Sequence, residues 1–98
     1  MVMNIIIDVR EKNELKQKYL ISQDKNSIII NLPSSQIQNY IIPIVNLSQN
    51  KGNIYLVCRS GERASIIKNN FFRHVNNIYS LGTIEDASNI FDIDVIYH

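Results

Sequence analysis

Apolar residues gather along the chain into four short runs rich in β-branched and aromatic side chains, at residues 4–7, 27–31, 53–57 and 77–81. Each run is nearly continuous rather than alternating, the pattern of a strand covered on both faces. The stretches between them are polar or carry helical spacing. Leu15 and Tyr19, four apart, predict a helix over residues 11–20. Ser34 or Ser35 can cap a helix over residues 36–42, which Pro43 would kink or stop. Ala64, Ile67 and Phe71 lie on one stripe and predict an amphipathic helix over residues 63–74. Thr83 can cap a short helix over residues 85–91, where Glu85 and Asp86 suit the positive end. Strand alternating with helix predicts an α/β domain with a mostly parallel central sheet flanked by helices on both faces. Residues 92–98 read either as a further edge strand or as a tail.

Composition narrows the picture further. A chain of 98 residues, 45% hydrophobic and 19% charged, suits one globular domain spanning 1–98. Ten Lys and Arg against nine Asp and Glu leave a net charge of +1. That balance offers no electrostatic footprint for a nucleic-acid or membrane partner. The longest apolar run, residues 54–58, is too short for a transmembrane helix. No basic-then-apolar signal segment opens the sequence, so a cytoplasmic location is expected. One cysteine rules out an intrachain disulfide, and two histidines leave few ligands for a zinc cage. No cofactor or metal is expected.

The candidate chemistry converges on Cys58-Arg59-Ser60-Gly61-Glu62-Arg63, where a buried strand runs into a tight polar turn and then a helix. In a parallel α/β sheet, ligands bind at the carboxyl ends of the strands. Backbone N–H groups of such a turn, with the positive end of the following helix, make an anion site, and a thiolate is an anion. Arg59 and Arg63 add positive charge on either side, and all three effects favour the nucleophilic form of Cys58. Gly61 allows backbone angles closed to other residues. A lone cysteine ending an apolar strand is more often a small buried hydrophobe, and lone arginines more often solvated. The order of the residues is what raises the catalytic reading above that. Asp8 and Arg10, at the end of the first strand, read first as structural: Arg10 pairing with Glu14, Asp8 anchoring a turn, with the pocket rim as their second role. His74 is expected at the C-terminal end of the long helix, His98 in a loose terminus, and Tyr79 and Tyr97 as core or rim aromatics.

The loop from Cys58 to Arg63 resembles the six-residue active-site loop of single-domain rhodanese-like sulfurtransferases. The resemblance extends to Asp8-Val9-Arg10-Glu11 with Glu14, to Asn31-Leu32-Pro33, and to residues 77–82, and so spans about residues 5–87. The chain departs from the family over residues 16–27, which lack its glycine-containing pair. It departs again at Thr83, which stands at a second glycine, and at His74, which stands at a helix-ending glycine. The resemblance implies a single rhodanese-like domain and a two-step transfer in which Cys58 takes a sulfane sulfur from a small anionic donor such as thiosulfate. A thiol, cyanide or a protein acceptor then removes it. It further implies that the loop amides stabilise the persulfide, and that Arg59 and Arg63 attract the donor. Ser60 and Gly61 shape the loop, while Glu62 is expected to face solvent, with Arg59 as its candidate ion-pair partner.

Three other classes compete. A phosphatase or arsenate reductase of related fold needs five residues between cysteine and arginine, and here there are four between Cys58 and Arg63. A non-catalytic binding or regulatory module is the second. A redox sensor is the third, one that would lack a resolving cysteine within the chain.

Overall fold

The computed structural model describes residues 2–97. In chain order it contains β1 (Met3–Asp8), a 3-10 turn (Lys12–Lys16), β2 (Lys18–Ser22), β3 (Ser27–Asn31) and a second 3-10 turn (Ser34–Asn39). There follow α1 (Ile41–Asn50), β4 (Gly52–Cys58), α2 (Glu62–Phe71), β5 (Ile78–Thr83), α3 (Ile84–Ile90) and β6 (Ile93–Tyr97). The four expected strands form one parallel sheet in the order β3-β1-β4-β5, and β2 and β6 pair antiparallel in a small second sheet.

Side chains alternate across β1 and so feed two separate cores. Ile5 and Ile7, followed by Val9, pack with Ile37, Ile44, Ala64, Ile67 and Phe72 under α1 and α2. Ile6 packs on the opposite face with Leu20, Val57, Ile84, Ala87 and Ile93, under α3 and the β2–β6 pair. The central strands therefore have no polar face, which is why their sequence reads as unbroken apolar runs.

Three expectations about the connecting segments are corrected. Residues 11–20 are not a helix but a 3-10 turn followed by β2. The run Lys18-Tyr19-Leu20-Ile21-Ser22 pairs with β6 from Lys18↔Tyr97 to Ser22↔Ile93 and buries Leu20. This long-range pairing overrides the local four-residue spacing of Leu15 and Tyr19. Residues 36–42 do not form a helix stopped by Pro43, because α1 begins at Ile41 and Pro43 is its third residue. In a first turn the backbone N–H that proline lacks has no helical partner to lose. The third correction concerns α2, which ends at Phe71, so His74 lies beyond it and is exposed. The turn that follows the helix is held by Lys68, whose Nζ donates to Phe72 O at 2.8 Å and Val75 O at 2.6 Å. Phe72, just past the helix, is fully buried, whereas Phe71 on the predicted stripe is 37% exposed.

Thr83 caps α3 as expected: its Oγ1 accepts from the Asp86 N–H at 3.1 Å, and its own N–H donates to Asp86 Oδ2 at 2.8 Å. Residues 93–97 form β6. His98, and any tail there, lies outside the described residues. Tyr79 and Tyr97 are both exposed, Tyr79 with its ring stacked on Tyr55 at 5.3 Å. Among the described residues no helix is long and apolar enough to cross a membrane.

The two phenylalanines give a direct check on this packing. Phe72→Ala is expected to cost about 3–5 kcal/mol in urea unfolding, the range for emptying a buried aromatic site. Phe71→Ala is expected to cost less than about 1 kcal/mol.

Candidate active site

β1 and β4 are neighbours, and the next strand of the same sheet is β3 after β1 but β5 after β4, so the strand order reverses between them. Ligands in such sheets usually bind at the carboxyl ends of the strands at this reversal. A cleft of about 350 Å³ is found there. Arg10, Asn13, Glu14, Gln17 and Lys18 line it from the chain after β1, and Arg59 lines it from the chain after β4.

Cys58 is the last residue of β4 and is fully buried. The turn after it folds back so that the Gly61 N–H donates to Cys58 Sγ at 3.0 Å. Gly61 has φ of +86°, a left-handed conformation that L side chains rarely adopt. A side chain there would also crowd the backbone, since a Cβ would lie 3.3 Å from Gly82 Cα. Gly61 then starts α2, its carbonyl accepting from the Ser65 N–H at 3.1 Å. Ser60 Oγ accepts a long hydrogen bond from the Glu62 N–H at 3.4 Å, and the Glu62 side chain is exposed. Arg59 is exposed, and among the described residues neither it nor Glu62 forms an ion pair, so the two do not pair with each other.

Arg63 behaves differently from Arg59. Its Nη1 and Nη2 donate to the two carboxylate oxygens of Glu14 at 2.7 and 2.6 Å, a forked pair joining α2 to the 3-10 turn after β1. Those hydrogen bonds are the main reason its guanidinium is raised above its ordinary value. Partial burial opposes them, and the charges of Glu14, Cys58 and Glu11 add to the rise. The same Arg63 hydrogen bonds hold the Glu14 carboxyl at about 2, well below its ordinary 4.5. Glu14 Oε2 also accepts from the Glu11 N–H at 2.8 Å. The Glu11 carboxylate in turn accepts from Ser34 Oγ at 3.1 Å and Ser35 Oγ at 2.8 Å. These serines therefore tie down Glu11 rather than cap a helix, and the Ser35 bonds are the leading reason the Glu11 carboxyl is lowered.

Asp8 and Arg10 are both buried, and they pair with one another rather than Arg10 with the Glu14 carboxylate. Arg10 Nη2 donates to Asp8 Oδ2 at 2.7 Å, Arg10 Nε to both Asp8 oxygens at 3.0 and 3.1 Å, and the Arg10 N–H to Oδ1 at 3.1 Å. What Arg10 offers Glu14 is a long bond from Nη1 to its backbone carbonyl, 3.5 Å. Extended backbone explains this, because residues two apart point the same way. Arg10 still lines the cleft, whereas Asp8 lies behind it. Asn13, Gln17 and Lys18 were not singled out from sequence. The β-rich run beginning at Lys18 was the signal that could have placed them beside the site. Among the described residues no group of three or more His, Cys, Asp or Glu could hold a metal ion. No protein-family model matches the chain, and no curated protein matches it either.

Two predictions follow from these ion pairs. Arg10→Ala strands a buried carboxylate and is expected to destabilise the fold by about 3–5 kcal/mol in denaturant titration. For Glu14 the folded carboxyl is depressed relative to the unfolded chain, so its contribution is complete above about pH 4.5 and is lost as pH falls toward about 2. Glu14→Gln is expected to cost about 1–2 kcal/mol at pH 7, between the values for exposed and buried pairs because solvent reaches both partners. It should also flatten the fall of the thermal midpoint between pH 4.5 and pH 2.5; an equally steep fall in the variant would disprove the assignment.

Proposed function

We infer that this chain is a rhodanese-like sulfurtransferase working through a persulfide on Cys58. The observation that carries the reading is the Gly61 N–H donating to Cys58 Sγ at 3.0 Å at the carboxyl end of a central parallel strand. A sulfur held there faces an oriented amide dipole, and a transferred sulfur atom carrying negative charge would meet the same amide. Arg59, exposed on the lip of the cleft and outside any ion pair among the described residues, supplies the charge that draws in an anionic donor.

In the first step the Cys58 thiolate attacks the outer sulfur of thiosulfate. An Sγ–S bond forms, the S–S bond of thiosulfate breaks, and its electron pair leaves with sulfite. In the second step an acceptor nucleophile such as cyanide attacks the outer sulfur of the persulfide. The S–S bond breaks toward Sγ, giving thiocyanate and restoring the thiolate. Splitting the transfer into two displacements is covalent nucleophilic catalysis. No cofactor is required, since Cys58 itself carries the sulfur. A reducing, cytoplasmic setting suits a chain with one unpaired cysteine.

One observation favours a second reading. Cys58 has no exposed surface and belongs to the core that also contains Ile7, Leu56 and Ala64. A thiol used only as packing would look the same, and the chain would then serve as a non-catalytic binding module.

Intact mass separates the two. Incubation with thiosulfate is expected to add one sulfur atom, cyanide to remove it, and Cys58→Ser to abolish the gain. A gain seen only with a persulfide donor keeps the chemistry and changes the donor. No gain from either donor would transfer the assignment to the binding module.

A further inference from the structure

Two arginines follow the cysteine in sequence, but their electrostatic surroundings differ. Arg63 has both terminal nitrogens committed to Glu14 at 2.6–2.7 Å, whereas Arg59 stands on the cleft lip with no ion pair among the described residues. Opposite charges this close offset much of each other's effect on a third charge. Glu14 lines the cleft and Arg63 does not, so the carboxylate is the member of the pair that faces the cleft. Its orientation is fixed from behind by the Glu11 N–H, and Glu11 is fixed by Ser34 and Ser35. The carboxylate is therefore placed by a relay that begins on the far side of β1.

Arg10 and Lys18 also line the cleft, but they are paired with Asp8 and Glu85. We propose that Glu14 is a positioning residue that offsets the charge of Arg63, so that Arg59 is the cleft cation left outside an ion pair to select anionic reagents for Cys58. The proposal rests on Cys58 being the reactive thiol of this site. It assigns unlike duties to two residues that look equivalent in the sequence. Arg63 is a strut between α2 and the turn after β1, and Arg59 is the reader of charge.

The test compares alkylation of Cys58 by iodoacetate, an anion, with alkylation by iodoacetamide, its neutral analogue of nearly equal size. Both reagents report the same thiolate and need the same opening of the loop, so the ratio of their rates cancels thiolate population, access and general loosening. What remains is the local charge. Glu14→Gln uncovers the Arg63 charge and is expected to raise the iodoacetate-to-iodoacetamide ratio about threefold to tenfold, the scale of one charge a few ångströms away in a watery cleft. Arg63→Gln leaves Glu14 unpaired and is expected to lower the ratio by a similar factor. Arg59→Gln should lower it as well, and the double variant Glu14→Gln with Arg63→Gln should return it close to the wild-type value. A ratio unchanged in both Glu14→Gln and Arg63→Gln, in protein still folded by circular dichroism, would overturn the proposal. If Glu14→Gln does not fold, the opposite-signed shift in Arg63→Gln decides. Alkylation does not depend on sulfur transfer. A chain that shows these shifts but takes no sulfur from any donor would sink the sulfurtransferase reading and leave the charge assignment standing.

Discussion

The site hangs on a carboxylate and a guanidinium buried two residues apart, Asp8 and Arg10. Charges taken out of water are tolerated only when every hydrogen-bonding position is occupied, and that demand dictates the local geometry. Asp8 receives Arg10 through both side-chain and backbone donors, which closes the turn at the end of β1. Asn31 Nδ2 bonds the carbonyls of both residues, and the Leu32 and Ser34 N–H groups bond Asp8 O and Val9 O. On the other side the Val9 N–H bonds Val57 O, one residue before the cysteine. The ends of β3, β1 and β4 are thereby tied at one level. The turn bearing Glu11 and Glu14 leaves from that level, and Arg63 finds Glu14 because of it.

The sheet contributes an irregularity of its own. Between β4 and β5 the register slips, so that Leu56 faces Ser80 but Val57 faces Gly82. The extra residue, Leu81, brings a glycine opposite the strand end just where the cysteine loop folds back. Gly82 then lies close enough to Gly61 that a Cβ on Gly61 would come within 3.3 Å of the Gly82 Cα. Neither the slip nor this approach involves a side chain of the candidate site. Bulges next to functional sites commonly re-aim a backbone in this way.

What was legible in the sequence follows from what is local. The central strands β1 and β4 are apolar on both faces, and the edge strands β3 and β5 still carry short β-branched or aromatic runs, so all four announce themselves without reference to a partner. The passage from Cys58 into α2 is contiguous, and so it could be read as a strand, a turn and a helix start. β2 differs from the expected helix because its pairing partner β6 lies more than seventy residues downstream, beyond the reach of the local spacing of Leu15 and Tyr19. Arg10 pairs with Asp8 rather than with Glu14 because in extended chain the nearest same-side neighbour is two residues away. Glu14 has its true partner 49 residues on, a separation no local pattern encodes. Phe72 escaped notice because α2 ends one residue before it, and only beyond the helix can that ring turn inward.

The enclosure of Cys58 has a consequence for time as well as space. A sulfur without exposed surface, bonded by the Gly61 N–H, is met by a diffusing reagent only after local opening of the structure around it. Such a reaction is gated: its rate rises with reagent concentration only until opening becomes the slower event, and then it levels off. The plateau belongs to the opening and is common to every reagent, whatever its intrinsic reactivity. Selectivity between competing nucleophiles and oxidants is then expressed only in the dilute regime. At saturating reagent a thiol enclosed in this way is consumed no faster than its cover opens.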